Sequence, residues 1–241
     1  MTHAMKRMVV GVLGVFVLAQ GAVAAPIFWS NPSGSTSKIT YSGGQSDKGL
    51  YGDPTLVGGT FQFLAPSNFN AESSNGVADT TSDRLSFKVT TTTGDLDKIN
   101  VQEYGDWSIL NTGIVKATGG LFITRLDSGH FGVLYQQTPV VKYTNMETGQ
   151  VLTSPSRPSG DGSGLWRADY SIDLPDGTRT VQVVLNNILQ ASSGSNSTSF
   201  IEKKAISITA VTATGPTVPE PASLGLIALG GTVLLRRRRT A

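Results

Sequence analysis

Apolar and polar residues alternate without a slip across residues 166–174, with Trp166, Ala168, Tyr170, Ile172 and Leu174 in one row. A period of two puts one row of side chains on one face, so this stretch is predicted to be a strand with one buried face. Pro175-Asp176-Gly177 supplies a turn, and Val181, Val183 and Leu185 then share a face. The two runs are expected to pair as a hairpin. The same period marks Leu85, Phe87 and Val89. It marks Ile99 and Val101 at the start of a strand that continues toward Trp107 and Ile109, and Ile206, Ile208 and Ala210 near the end. Residues 120–126 and 131–135 flank Asp127-Ser128-Gly129, residues 140–144 and 150–153 flank a turn, and residues 38–41 and 60–64 are the earliest strands. No twelve-residue stretch has a helical period, and there is no internal repeat of fixed length. Residues 66–82, 154–164 and 192–199 are small, polar and turn-rich, and are expected to be loops. The predicted fold is all-β. A single β-sandwich of roughly ten strands, jelly-roll-like, occupies residues 25–214, with a signal helix before it and a transmembrane helix after it.

The two ends break this pattern. Lys6 and Arg7 precede an apolar run over residues 8–19, and Ala22-Val23-Ala24 follows. This is the order of a secretory signal peptide, residues 1–24, with the cut between Ala24 and Ala25. At the other end, residues 215–218 form a linker, and Pro219-Glu220-Pro221 opens the tail, residues 219–241. Residues 222–235 carry no charge, and Arg236, Arg237, Arg238 and Arg239 close the run. Fourteen helical residues span about 21 Å, short of the roughly 30 Å hydrocarbon core. The arginines are expected to stay cytoplasmic, with the chain before Pro219 outside. This three-part tail resembles the PEP-CTERM sorting domain of Gram-negative bacteria, over residues 218–241. The resemblance implies recognition by an exosortase, a membrane-embedded cysteine protease. It also implies cleavage near Pro219, Glu220 and Pro221, and transfer to the cell surface or exopolysaccharide matrix.

Charge changes the picture once the ends are set aside. The chain has a net charge of +2, but Lys6, Arg7 and the four tail arginines hold six of its nineteen basic residues and Glu220 one of its seventeen acids. The body keeps thirteen basic and sixteen acidic side chains, a net of −3, with no basic stripe for nucleic acid. There is no cysteine, which excludes disulfides, thiolate metal sites and a cysteine nucleophile.

Candidate chemistry in the body is sparse. His130 is the one histidine after the signal peptide, so a Ser-His-Asp triad or a histidine zinc site has little to draw on. Glu103 and Glu147 are candidate acids for a carboxylate-dependent glycoside hydrolase. Glu103 lies close to Trp107, and the two are also candidate glycan contacts, with Trp29 a further stacking surface, whereas Trp166, on the apolar face of its strand, is expected in the core. No cofactor is expected. Calcium is the one candidate ion, at Asp161 or at Asp173 with Asp176. Three functions follow in order of support. The first is a non-catalytic exported protein, handed from Sec export through the inner membrane to an exosortase and then to the surface or biofilm matrix. The second is a carbohydrate-binding module with the same address, and the third a surface hydrolase. Exopolysaccharide is the expected partner.

Overall fold

The period-two pattern is realised as two antiparallel sheets stacked face to face. The structure is a computed structural model that describes residues 25–64, 68–129 and 132–213. In chain order its strands are β1 (Ile27–Phe28), β2 (Gly34–Ser35), β3 (Ile39–Ser46), β4 (Thr55–Val57) and β5 (Thr60–Leu64). Next come β6 (Asn70–Ser74), β7 (Asp79–Thr91), β8 (Leu96–Leu110), β9 (Gly113–Arg125) and β10 (Leu134–Gln137). The last five are β11 (Val140–Asn145), β12 (Val151–Thr153), β13 (Gly162–Asp173), β14 (Thr180–Ser193) and β15 (Thr198–Thr212). One sheet has the order β1-β3-β7-β14-β9-β10, with β2 also on β3. The other has the order β12-β11-β13-β8-β15-β5-β4, with β6 also on β15.

The long strands alternate between the sheets. β7, β9 and β14 lie in one, and β8, β13 and β15 in the other. Their inner rows meet as the core: Leu85, Phe87, Val89, Val181, Val183 and Leu185 from one side, Ile99, Val101, Ile206 and Ile208 from the other. Each fully buried side chain of this size contributes about 1.5–3 kcal/mol through lost water contact. Trp29 extends the core at one end, 5.3 Å from Phe87 and 5.5 Å from Phe63, ring centre to ring centre.

Strand β15 holds the second sheet together. It pairs with β8 along one edge, and along the other first with β6 and then with β5. A β-bulge interrupts it. Lys203 pairs with Gly105 and Ala205 with Tyr104, so Lys204 is the extra residue. The bulge switches which parity faces inward, from Ser199, Ile201 and Lys203 before it to Ile206, Ile208 and Ala210 after it.

Three expectations need correction. Strands β13 and β14 are not a hairpin: β13 pairs with β8 and β11, and β14 with β7 and β9. Pro175-Asp176-Gly177 is therefore a corner between sheets, and both strands bury a face because their sheets face each other. Among the described residues the strand count is fifteen rather than ten, because two- and three-residue edge strands such as β1, β2, β4 and β12 are too short to show a period. The expected loop over residues 66–82 holds β6 and the start of β7. The other pairings, β9 with β10 and β11 with β12, are as predicted. The signal segment, the linker and the tail helix lie outside the described residues. Among the described residues no helix is long and apolar enough to cross a membrane.

Candidate functional site

A dense cluster of polar side chains is buried between the sheets. Glu103 is 1% exposed and Lys203 0%. Both occupy inward positions that the alternation reserves for apolar side chains, Glu103 on β8 after Ile99 and Val101, Lys203 on β15 after Ile201. Asn187 sits opposite them on β14, in the row of Val181, Val183 and Leu185, and is also buried.

The Lys203 ammonium donates to Glu103 Oε2 at 2.8 Å and to Asn187 Oδ1. Asn187 Nδ2 donates to Glu103 Oε1 at 2.8 Å and to the Tyr51 hydroxyl at 2.9 Å. The Tyr51 hydroxyl in turn donates to the Leu185 carbonyl at 3.1 Å. Each of the three side chains thus touches the other two, with one carboxylate bridging an amine and a carboxamide. The surround is aromatic: Lys203 Nζ lies 5.0 Å from the centre of the Phe69 ring, 5.5 Å from Trp166 and 5.9 Å from Tyr51. Cation–π attraction offsets part of the lost hydration of such an ammonium.

Local structure sets each position. Asp83 accepts the backbone N–H groups of Lys48 at 2.9 Å and Leu50 at 2.8 Å, which fixes the loop that presents Tyr51. The Lys203 N–H donates to the Phe69 carbonyl at 3.0 Å, which anchors Phe69 at the bulge. The Trp166 indole reaches from β13 across Gly105 of β8 and donates to the Glu202 carbonyl of β15 at 3.0 Å. Gly105 is required there, because a Cβ would lie 1.9 Å from that carbonyl and 2.4 Å from the indole nitrogen. Outside the core, Lys204 pairs with Glu202, and with Asp106 at 3.6 Å.

Burial sets the titration of this cluster. Desolvation pushes the Lys203 ammonium below its usual range, partly offset by the Glu103 carboxylate. Desolvation, with Glu103 second, pushes the Tyr51 and Tyr170 hydroxyls well up.

The residues singled out in the sequence fare differently. Glu103 is sealed in the core against Lys203 and Asn187, so it is neither a surface glycan contact nor a general acid open to a polysaccharide. Trp29, Trp107 and Trp166 are all core residues. Trp107 is 5% exposed, but its ring borders a cleft of about 550 Å³ shared with Asn145, Gln150, Arg157 and Asp161. Glu147 is exposed on the turn after β11. Asp161 accepts the Asn111 N–H at 3.2 Å, and Asp173 pairs with Lys98 at 2.9 Å. Among the described residues no group of three or more His, Asp or Glu side chains is placed to hold a metal ion. Ala25 is exposed, whereas Ala22, Ala24, His130, Pro219, Glu220, Pro221 and the arginines at 236–239 lie outside the described residues.

Reading the sequence missed Lys203 and Asn187. The signal that finds them is parity: both occupy inward positions of strands whose other inward residues are apolar.

Function by comparison lies outside the sandwich. Residues 217–239 match the family model described as the PEP-CTERM protein-sorting motif. The tail is a PEP-CTERM sorting motif. Such a motif implies export, handling by an exosortase and sorting to the cell surface. No curated protein matches the chain by sequence. Similar solved structures are remote. TmCBM61 in complex with beta-1,4-galactotriose is 11% identical, with a TM-score of 0.23 over 75% of this chain and 98% of that one. The enzymatically active domain of bacteriophage CBA120 tailspike protein 4 is 13% identical, with a TM-score of 0.17 over 57% of this chain and 19% of that one. The infectious bursal disease virus Gx strain is 10% identical, with a TM-score of 0.18 over 76% and 56%. At these scores none carries an argument about what the body ahead of the PEP-CTERM tail binds.

Proposed function

We propose that this protein is a non-catalytic component of the cell surface or exopolysaccharide matrix. A signal peptide, residues 1–24, carries it through Sec. The apolar run and Arg236, Arg237, Arg238 and Arg239 hold it briefly in the inner membrane, with its C-terminus in the cytoplasm. An exosortase then acts near Pro219, Glu220 and Pro221. The observation that carries this reading is the sorting motif at residues 217–239, joined to an all-β body whose best-defined polar cluster is closed to solvent. The test is replacement of Pro219, Glu220 and Pro221 by alanine, followed by cell fractionation. Export is expected to continue, with full-length protein accumulating in the inner membrane. Unchanged release to the surface or medium would contradict the reading.

A second reading, a glycan-binding body, is favoured by one observation. Trp107 borders a cleft with amide, guanidinium and carboxylate groups around it. Glycan-array binding, measured with and without calcium and lost on Trp107→Ala, would support it. The hydrolase reading has no such support, since its acid, Glu103, is sealed in the core.

A further inference from the structure

We propose that Lys203 and Asn187 become joined by an intramolecular amide bond, formed with the help of Glu103, which covalently ties β15 to β14 across the sandwich. The inference rests on the body alone and is independent of how the tail is sorted.

The three groups such a reaction needs are in contact. The Lys203 amine touches Asn187 Oδ1, so the carboxamide carbon Cγ is one bond away. Glu103 holds both nitrogens, Oε2 on Lys203 Nζ and Oε1 on Asn187 Nδ2, each at 2.8 Å. All three side chains are buried, which keeps bulk water away from the carboxamide carbon. Fixed geometry of this kind replaces a bimolecular encounter with an intramolecular one.

The protonation states suit the step. Burial biases Lys203 toward the free amine, which is the nucleophilic form. Proton transfer from Lys203 to Glu103 neutralises both charges at once. The amine then attacks Cγ, forming the Nζ–Cγ bond. A second proton leaves Nζ through the Glu103 carboxyl and passes to Nδ2. The Cγ–Nδ2 bond breaks and ammonia departs. The products are a secondary amide, one ammonia and a protonated, neutral Glu103, with no change in oxidation state. A buried ion pair, costly to desolvate, is thereby replaced by a neutral amide.

Position supports a mechanical role. Residues 187 and 203 are sixteen apart in sequence but lie in opposite sheets. Strand β15 is also the strand from which the chain runs on toward the tail. A covalent tie at Lys203 keeps that strand from being peeled off its neighbours.

Peptide mapping of the full chain, purified in its folded state, decides the matter. Trypsin cuts after Arg179 and after each free lysine, so Asn187 and Lys203 fall in one tryptic span. The linked form yields residues 180–204 uncut at Lys203 and lighter by one ammonia, about 17 Da. Its fragment ladder is missing between 187 and 203, and this separates it from a simple succinimide at Asn187. Lys203→Met is expected to restore full mass at Asn187. Glu103→Gln is expected to leave the lysine free and cleavable. If that variant does not fold, Glu103→Asp, with its shorter reach, is expected to give a mixture of linked and free peptide. A wild-type peptide of full mass, cut at Lys203, would overturn the proposal. Complete linkage in a folded Glu103 variant would overturn the role given to Glu103.

Discussion

At the scale of single residues, Glu103 and Lys203 carry the largest electrostatic stake in the body. Each is almost fully buried, and each is balanced by the other and by Asn187. Glu103→Ala leaves an ammonium in the core without its carboxylate. It is expected to cost about 3–5 kcal/mol, read as a lowered urea midpoint at unchanged slope. The double variant Glu103→Leu with Lys203→Met removes both charges and is expected to recover much of that loss. A Glu103→Ala protein as stable as the parent would contradict this assignment. The chain itself hints at the cluster. Glu103 follows Ile99 and Val101 in step, Asn187 follows Val183 and Leu185, and Lys203 follows Ile201. What parity alone does not show is that three inward polar residues on three strands converge. That depends on sheet order and on the bulge at Lys204.

At the scale of elements, alternation identified the long strands but not all their partners. Residues 166–173 lie in strand β13 with Trp166, Tyr170 and Ile172 inward, as the period predicts. Burial of one face says nothing about which edge pairs, so β13 and β14 were legible as strands and illegible as members of opposite sheets. The turn chemistry of Pro175-Asp176-Gly177 suits a corner as well as a hairpin. The bulge is an element in its own right, because it lets β15 bury Lys203 and still bury Ile206, Ile208 and Ala210. Deleting Lys204 restores a strict period of two. Ser199, Ile201, Lys203, Ile206, Ile208 and Ala210 then stay in one inward row, because Lys203, Ala205 and Ile206 keep Gly105, Tyr104 and Glu103 as partners. The deletion variant is expected to fold, as judged by a retained cooperative thermal transition. Loss of that transition would contradict the assignment of Lys204 as the extra residue.

At the scale of the whole molecule, function divides between an addressed tail and a sealed body. The tail's order of Pro219-Glu220-Pro221, an apolar run and four arginines was fully legible, because it depends on local composition and not on tertiary contacts. The body's role was not, because its candidate contacts, Glu103 and Trp107, are buried residues that only the folded chain shows to be covered. The proposed matrix role needs an address and a folded body, and the sorting motif at residues 217–239 and the two stacked sheets are what support it. The most direct test is C-terminal peptide mapping of protein recovered from the cell surface. The account predicts that the chain ends near Pro219, Glu220 and Pro221, without Arg236, Arg237, Arg238 or Arg239. Surface protein that still carries those four arginines would contradict it.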